Sequence, residues 1–135
     1  MLVPKKTKYR KSHKFTNLGK ASSTNKVDFG SYGLKSMESC WVTSRQIEAA
    51  RKVITKYTKR GGKIWIRIFP DKPVTKKGGE IPMGKGKGPV DHYIAPVKAG
   101  TVMFELDGIS PDMAEKAMNL AAYKLPVKCK FVTKD

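Results

Sequence analysis

Apolar positions recur along the chain with two different periods, and the changes between them mark the expected elements. From Lys26 the pattern alternates, with Val27, Phe29 and Ser31 set against Asp28 and Gly30, which predicts a strand. A second short strand is expected over Met37–Val42, with Trp41 near its end. The period then lengthens. At 100° per residue Ile47, Ala50, Ile54 and Tyr57 fall within about 80° of one another, one apolar face of a helix. Thr43 can cap it and Gln46, three residues on, can bond back to the cap amide, so the helix should run from about Ser44 to Lys59. Gly61-Gly62 offers a left-handed stop. Alternation returns over Lys63–Phe69, where Ile64, Ile66 and Ile68 face one way and Lys63, Trp65, Arg67 and Phe69 the other. The isoleucine row belongs to the core. The second row suits either an RNA-contacting sheet face or a second buried layer with its charges at the rim.

Residues 70–90 break every period. Pro70, Pro73, Pro82 and Pro89 argue against regular pairing, and five glycines and five lysines fill much of the rest, so a long functional loop is expected. Strands follow over Asp91–Val97 and Thr101–Asp107, joined at Lys98-Ala99-Gly100, with Val102, Phe104 and Leu106 as an inward row. Ser110, Pro111 and Asp112 form a second helix start with cap, first-turn proline and first-turn acid. This helix should reach about Tyr123, with Met113, Ala117, Leu120 and Ala121 on its apolar side. Val127, Cys129 and Phe131 alternate with Lys128 and Lys130 in a last strand, and Cys129 reads as a small buried apolar residue.

Charge sharpens this outline. The 135 residues carry 28 basic and 11 acidic side chains, a net +17. Residues 1–90 hold 22 of the basic and 5 of the acidic groups, whereas residues 91–135 hold 6 of each. That distribution predicts a one-sided anionic partner facing a cationic front, with a neutral back that only folds, and nucleic acid is the default candidate. Residues 1–26 contain eight basic side chains and no acid, as in an arm that orders on a polyanion. Tyr9, His13 and Phe15 are interleaved there, either to stack on bases or to tack the arm to the domain. Arg45, Lys52, Lys56 and Lys59 fall within about 60° on the polar side of the first helix, a ridge suited to a phosphate backbone.

Other functions find little support. No apolar run approaches the roughly 18 residues of a spanning helix, and no basic helix carries a bulky apolar face, so no membrane partner is expected. No targeting segment is evident at the N-terminus, and Cys40, Cys129, His13 and His92 lack metal-ligand spacing, so neither metal nor cofactor is expected. Gly79–Lys85 fits the opening of a nucleotide-binding loop, but Gly86 stands where a Ser or Thr must hold magnesium, and no helix pattern follows. No catalytic constellation is present. A free-standing nucleic-acid-binding regulator is one function compatible with this pattern.

Several segments together resemble one family. They are Pro4–Lys11 (PKKTKYRK), Thr43–Arg51 (TSRQIEAAR), Gly62–Thr75 (GKIWIRIFPDKPVT), Met83–Gly88 (MGKGKG) and Ala121–Lys130 (AAYKLPVKCK). In this order they resemble bacterial-type large-subunit ribosomal protein L-sixteen, related to the archaeal and eukaryotic L-ten-e, over essentially the whole chain. The resemblance implies an α+β fold in which two helices pack on a mainly antiparallel sheet, with a basic arm (1–26) and one domain (27–135) interrupted by the loop at 70–90. It implies no catalysis, because peptide-bond chemistry belongs to RNA. The implied partners are large-subunit rRNA, A-site and P-site tRNA and neighbouring ribosomal proteins, with no homo-oligomer. The implied role lies near the peptidyl-transferase region, assisting subunit assembly and tRNA positioning in cytoplasmic bacterial ribosomes, with organellar ribosomes as the alternative.

Charge pattern and resemblance together nominate Lys5, Lys6, Lys8, Arg10, Lys11, His13, Lys14, Arg45, Arg51, Lys52, Lys56, Lys59, Arg60, Lys63 and Arg67 as rRNA contacts. Lys76, Lys77, Met83, Gly84, Lys85, Gly86, Lys87 and Gly88 are nominated as a tRNA-proximal loop. Pro82 departs from the family pattern: many bacterial relatives place a modifiable arginine before the loop methionine, so that contact and its modification are not carried over.

Overall fold

The computed structural model describes residues 2–3, 24–75 and 90–134. In chain order the elements are β1 (Tyr32–Ser36), β2 (Cys40–Thr43), α1 (Ser44–Tyr57), β3 (Lys63–Ile66), β4 (Lys72–Thr75), β5 (Val90–Val97), β6 (Val102–Asp107), α2 (Pro111–Ala122) and β7 (Cys129–Thr133). The strands form a four-stranded sheet, β3-β6-β1-β7, and a three-stranded sheet, β2-β5-β4, with every described pairing antiparallel. The expected α+β architecture holds, divided between two sheets. β5 and β6, adjacent in sequence, lie one in each.

Register decides which face of the larger sheet enters the core. Tyr32 and Leu34 of β1 lie opposite Leu106 and Phe104 of β6, which lie opposite Ile64 and Ile66 of β3. Leu34 also lies opposite Phe131 of β7. This row meets α2, which packs on β1 and β7, while α1 packs on α2 and against β2 and β5. Ala114, Ala117 and Ala121 of α2 and Ala50 of α1 are all fully buried, and their small side chains let the helices approach closely.

Six expectations change. The helix phase of α2 is shifted: Ala114 and Met118 are buried, whereas Met113 and Leu120 are 41% and 40% exposed. The residues 70–90 are not a loop throughout, because Lys72–Thr75 pair with β5 and β5 begins at Val90. Pro73 is tolerated there because β4 is an edge strand and its missing N–H costs no ladder bond on the open side. Strand β2 starts at Cys40 rather than Met37, since the Ser36 and Met37 amides donate to Thr101 and Lys128 carbonyls instead. Residues 27–31 are not a strand, and β3 is shorter than expected, although the Arg67 amide still reaches the Met103 carbonyl at 2.9 Å. Finally, β6 is buried on both rows from Val102 to Leu106, Glu105 included.

Candidate nucleic-acid interface

Helix α1 is fixed first at its N-terminus. The Gln46 amide donates to Thr43 Oγ1 at 3.2 Å and the Thr43 amide donates to Gln46 Oε1 at 2.9 Å, the expected capping box. Ile47, Ala50 and Ile54 then turn into the core. Tyr57 does not follow them and stays exposed. With that face committed, Arg45, Lys52, Lys56 and Lys59 face solvent.

The one acid of the helix, Glu48, lies beside this ridge but is taken by Arg51, whose Nε donates to Oε2 at 3.2 Å and whose Nη2 pairs with Oε1. The hydrogen bond from Arg51 holds the Glu48 carboxyl below its ordinary range. Glu48 is thus taken by Arg51, with Lys52 a weaker electrostatic neighbour, and Arg45 and Lys56 make no salt bridge among the described residues; Lys59 lies past the end of the helix, which stops at Tyr57 rather than at the expected Lys59.

The end of α1 concentrates this charge. A concave region of about 670 Å³ is lined by Arg51, Lys52, Thr55, Lys56, Lys59 and Arg60. Its rim turns on two consecutive left-handed residues, Lys59 (φ 54°) and Arg60 (φ 63°). Glycine was expected to take this conformation; only Gly62 (φ 76°), two residues later, does so. For side-chain-bearing residues the left-handed region costs about 1–2 kcal/mol each. The turn is held by the Arg60 amide on the Thr55 carbonyl at 2.9 Å and by Thr58 Oγ1 on the Ile54 carbonyl at 2.9 Å. The fold therefore sustains strain where it points two cations toward one concavity, a pattern found at functional sites.

Lys63 is also exposed, with Nζ 5.0 Å from the Trp65 ring centroid. Arg67 is different. Its side chain is 9% exposed, and Nη1 donates to Glu105 Oε2 at 2.7 Å while Nη2 reaches Asp28 Oδ2 at 3.2 Å. The Trp65/Arg67 row matches neither reading as a whole: Lys63 and Phe69 are exposed, Trp65 is half-buried, and the Arg67 charge is turned inward rather than to the rim. Arg67, nominated as an RNA contact, is instead a structural cation whose charge is met by Glu105 and Asp28.

Glu105, which sequence reasoning missed, organises the surroundings of Arg67. Its carboxylate accepts the amides of Asp28 at 3.1 Å, Phe29 at 2.7 Å and Gly30 at 2.8 Å, besides Arg67. Burial pushes its pKa up, but the three amides and the Arg67 charge outweigh this and hold it below the ordinary carboxylate value. Residues 28–30 give their amides to this side chain instead of to a strand ladder, which is why the expected strand is absent. Val27 plugs the same outer face, and a Cβ on Gly33 would meet Val27 Cγ2 and Val102 Cγ1 at 2.9 Å.

The outer face also corrects the neutral back. Lys35 of β1 lies opposite Lys130 of β7, and Lys26, Lys35 and Lys134 line a cleft of about 390 Å³ with Asp28. Of the six acids of this third, Asp112 and Glu115 sit on α2 and Glu105 and Asp107 on β6. Summing charge over residues 91–135 hid the lysines of this face; the alternating lysines of β7 were the available signal.

Lys5, Lys6, Lys8, Arg10, Lys11, His13 and Lys14, with Tyr9 and Phe15, lie outside the described residues, as do Lys76, Lys77 and Met83–Gly88. Cys40 and Cys129 form no disulfide, and Cys129 is half-buried rather than buried. Burial pushes both thiols up, Cys129 to about 11, so they are protonated at neutral pH. Among the described residues no cluster of His, Cys, Asp and Glu can hold a metal, and no helix is long and apolar enough to cross a membrane.

Residues 4–132 match the family described as ribosomal protein L16p/L10e. The chain belongs to that family. It is similar to the large ribosomal subunit protein uL16c of Phaeodactylum tricornutum, 56% identical over 135 residues and covering 100% of this chain and 98% of that protein. It is likewise similar to uL16c of Thalassiosira pseudonana, 57% identical over 132 residues (98% and 96%), and of Gracilaria tenuistipitata, 54% over 135 residues (100% of both). Members are structural, non-enzymatic constituents of the large ribosomal subunit, so the protein serves translation as an RNA-binding ribosomal protein, with rRNA and other ribosomal proteins as its partners.

Proposed function

We propose that the protein binds large-subunit rRNA near the A-site tRNA and the peptidyl-transferase region, assisting subunit assembly and tRNA positioning. The observation that carries the rRNA reading is the α1 surface: Arg45, Lys52 and Lys56 are exposed on the helix, and past its end a concavity of about 670 Å³ is lined by Lys52, Lys56, Lys59 and Arg60 besides the Glu48-paired Arg51. Lys56 alone would suffice to complement the helix dipole; the remaining cations repel one another until a polyanion arrives. Residues 1–26 add a basic arm and the 76–89 segment a glycine-lysine finger that the family resemblance directs toward tRNA. The uL16c relatives support an organellar ribosome in place of the bacterial one expected from the sequence, and we assign the protein there.

The test is the salt dependence of binding to large-subunit rRNA. Each phosphate neutralised contributes about 0.7–0.9 to the slope of log K against log salt, so replacing Arg45, Lys52, Lys56 and Lys59 by Gln should flatten it by about 3. The variant should also fail to enter subunits on a sucrose gradient while melting like the parent. An unchanged slope, or a parent chain that sediments apart from ribosomal subunits, contradicts the proposal.

A further inference from the structure

Phe29 is 59% exposed, yet it is among the most firmly positioned residues of its segment. Its own amide donates to the buried Glu105 carboxylate at 2.7 Å, and the amides on either side donate to the same group. Its ring stacks on Trp65 with centroids 6.4 Å apart and planes 22° apart. The Arg67 guanidinium carbon lies 5.4 Å from the Phe29 centroid, and Lys63 Nζ 5.0 Å from that of Trp65.

Packing does not require this arrangement. The covering of the sheet's outer face is achieved by Val27, which is nearly buried. A leucine or lysine at position 29 would leave that plug and the amide bonds to Glu105 intact. The molecule instead fixes a large aromatic ring at the surface, against Trp65 and the ion-paired Arg67, with the buried Glu105 carboxylate holding its backbone. A rigid exposed ring beside an exposed lysine has the chemistry of a base-stacking platform: the π face takes an unpaired base and Lys63 holds its phosphate, while Arg67, paired with Glu105 and Asp28, fixes the ring. The lysine cleft formed by Lys26, Lys35 and Lys134 lies beside the same segment.

We propose that Phe29, backed by Trp65, is a stacking site for an unpaired nucleobase of the large-subunit rRNA. This rests on the rRNA reading above, but it names a second contact, away from α1 and different in kind. Glu105 and Arg67 are positioning residues for it.

Stacking releases few counterions, so it separates from phosphate contact by its salt behaviour. Binding of the full chain to large-subunit rRNA should be measured by filter retention at several salt concentrations. Phe29→Leu, which keeps an apolar side chain, should bind about ten-fold more weakly at every salt concentration with an unchanged slope. Phe29→Tyr and Phe29→Trp should bind within about two-fold of the parent, and thermal melting should show all three folded. Parent-like binding by Phe29→Leu while the α1 variant loses slope overturns the platform and leaves the rRNA reading standing. Parent-like binding by both variants overturns both. If Phe29→Leu binds rRNA normally but enters subunits poorly, the ring docks on a protein and the inference is wrong.

Discussion

Removing the Glu105 carboxylate is the perturbation with the most far-reaching expected effect. In Glu105→Ala the amides of Asp28, Phe29 and Gly30 lose their acceptor, and the Arg67 guanidinium, 9% exposed, loses its buried partner. Breaking one side of a buried ion pair costs about 3–5 kcal/mol, against a total stability of roughly 5–15 kcal/mol for a domain of this size. Equilibrium urea unfolding should therefore show a midpoint lowered by about a fifth or more. Arg67→Met should cost less, because the three amides still satisfy the carboxylate. The double variant should cost less than the two singles together, with a coupling of about 1–3 kcal/mol. The sign with pH follows from the depressed pKa. The folded carboxyl ionises below its ordinary value of 4.5, so its contribution is complete above that value and is lost as pH falls through the lower folded one. The parent should lose stability over that acid range more steeply than Glu105→Ala. A Glu105→Ala cost below about 1 kcal/mol, the range of ordinary surface changes, would refute the view that this carboxylate holds the 28–30 segment in place.

Other perturbations separate stability from binding. Lys59→Gly and Arg60→Gly should each gain about 1 kcal/mol by relieving a left-handed residue, visible as a higher melting temperature, while weakening rRNA binding; a loss of stability would show that the turn is not strained. Thr43→Ala should remove the capping box and cost about 1 kcal/mol in urea unfolding, and no change would mean that the cap is redundant. Gly33→Ala should destabilise the outer face by displacing Val27, checked by the same titration against a parent-like result. Deleting Gly84–Gly88 should leave the melting temperature nearly unchanged while impairing translation, because closure entropy depends weakly on loop length; a large drop would place the segment in the core.

What sequence could show was local. The Thr43–Gln46 cap, the Ile47/Ala50/Ile54 face and the isoleucine row of β3 depend on neighbours within a turn or a strand, so their periods and spacings are legible. The exposed side of α1 at Arg45, Lys52 and Lys56 was legible for the same reason, but Lys59 lies past the helix end, outside its period. Contacts spanning great chain distance were not. Glu105 reads as a rim acid in an alternating strand, and only its bonds to residues 75 or more positions away reveal a buried anchor. Arg67 was nominated for RNA because its partner was invisible. The phase of α2 was misjudged because Met113 and Leu120 outweigh alanines on any hydrophobic scale, whereas close helix packing selects Ala114, Ala117 and Ala121. At the end of α1, glycines seemed the obvious left-handed residues, yet Lys59 and Arg60 take that conformation, a choice that local propensity disfavours and that the concavity they line explains.

The central claim is that the α1 cations meet rRNA phosphates. Cryo-electron microscopy of the large ribosomal subunit containing this chain tests it most directly. Arg45, Lys52, Lys56 and Lys59 should lie within hydrogen-bonding or ion-pairing reach of phosphate oxygens, with RNA backbone occupying the concavity at the end of the helix. The same four side chains turned toward bulk solvent, or covered by a protein neighbour with no nucleotide beside them, would contradict the account.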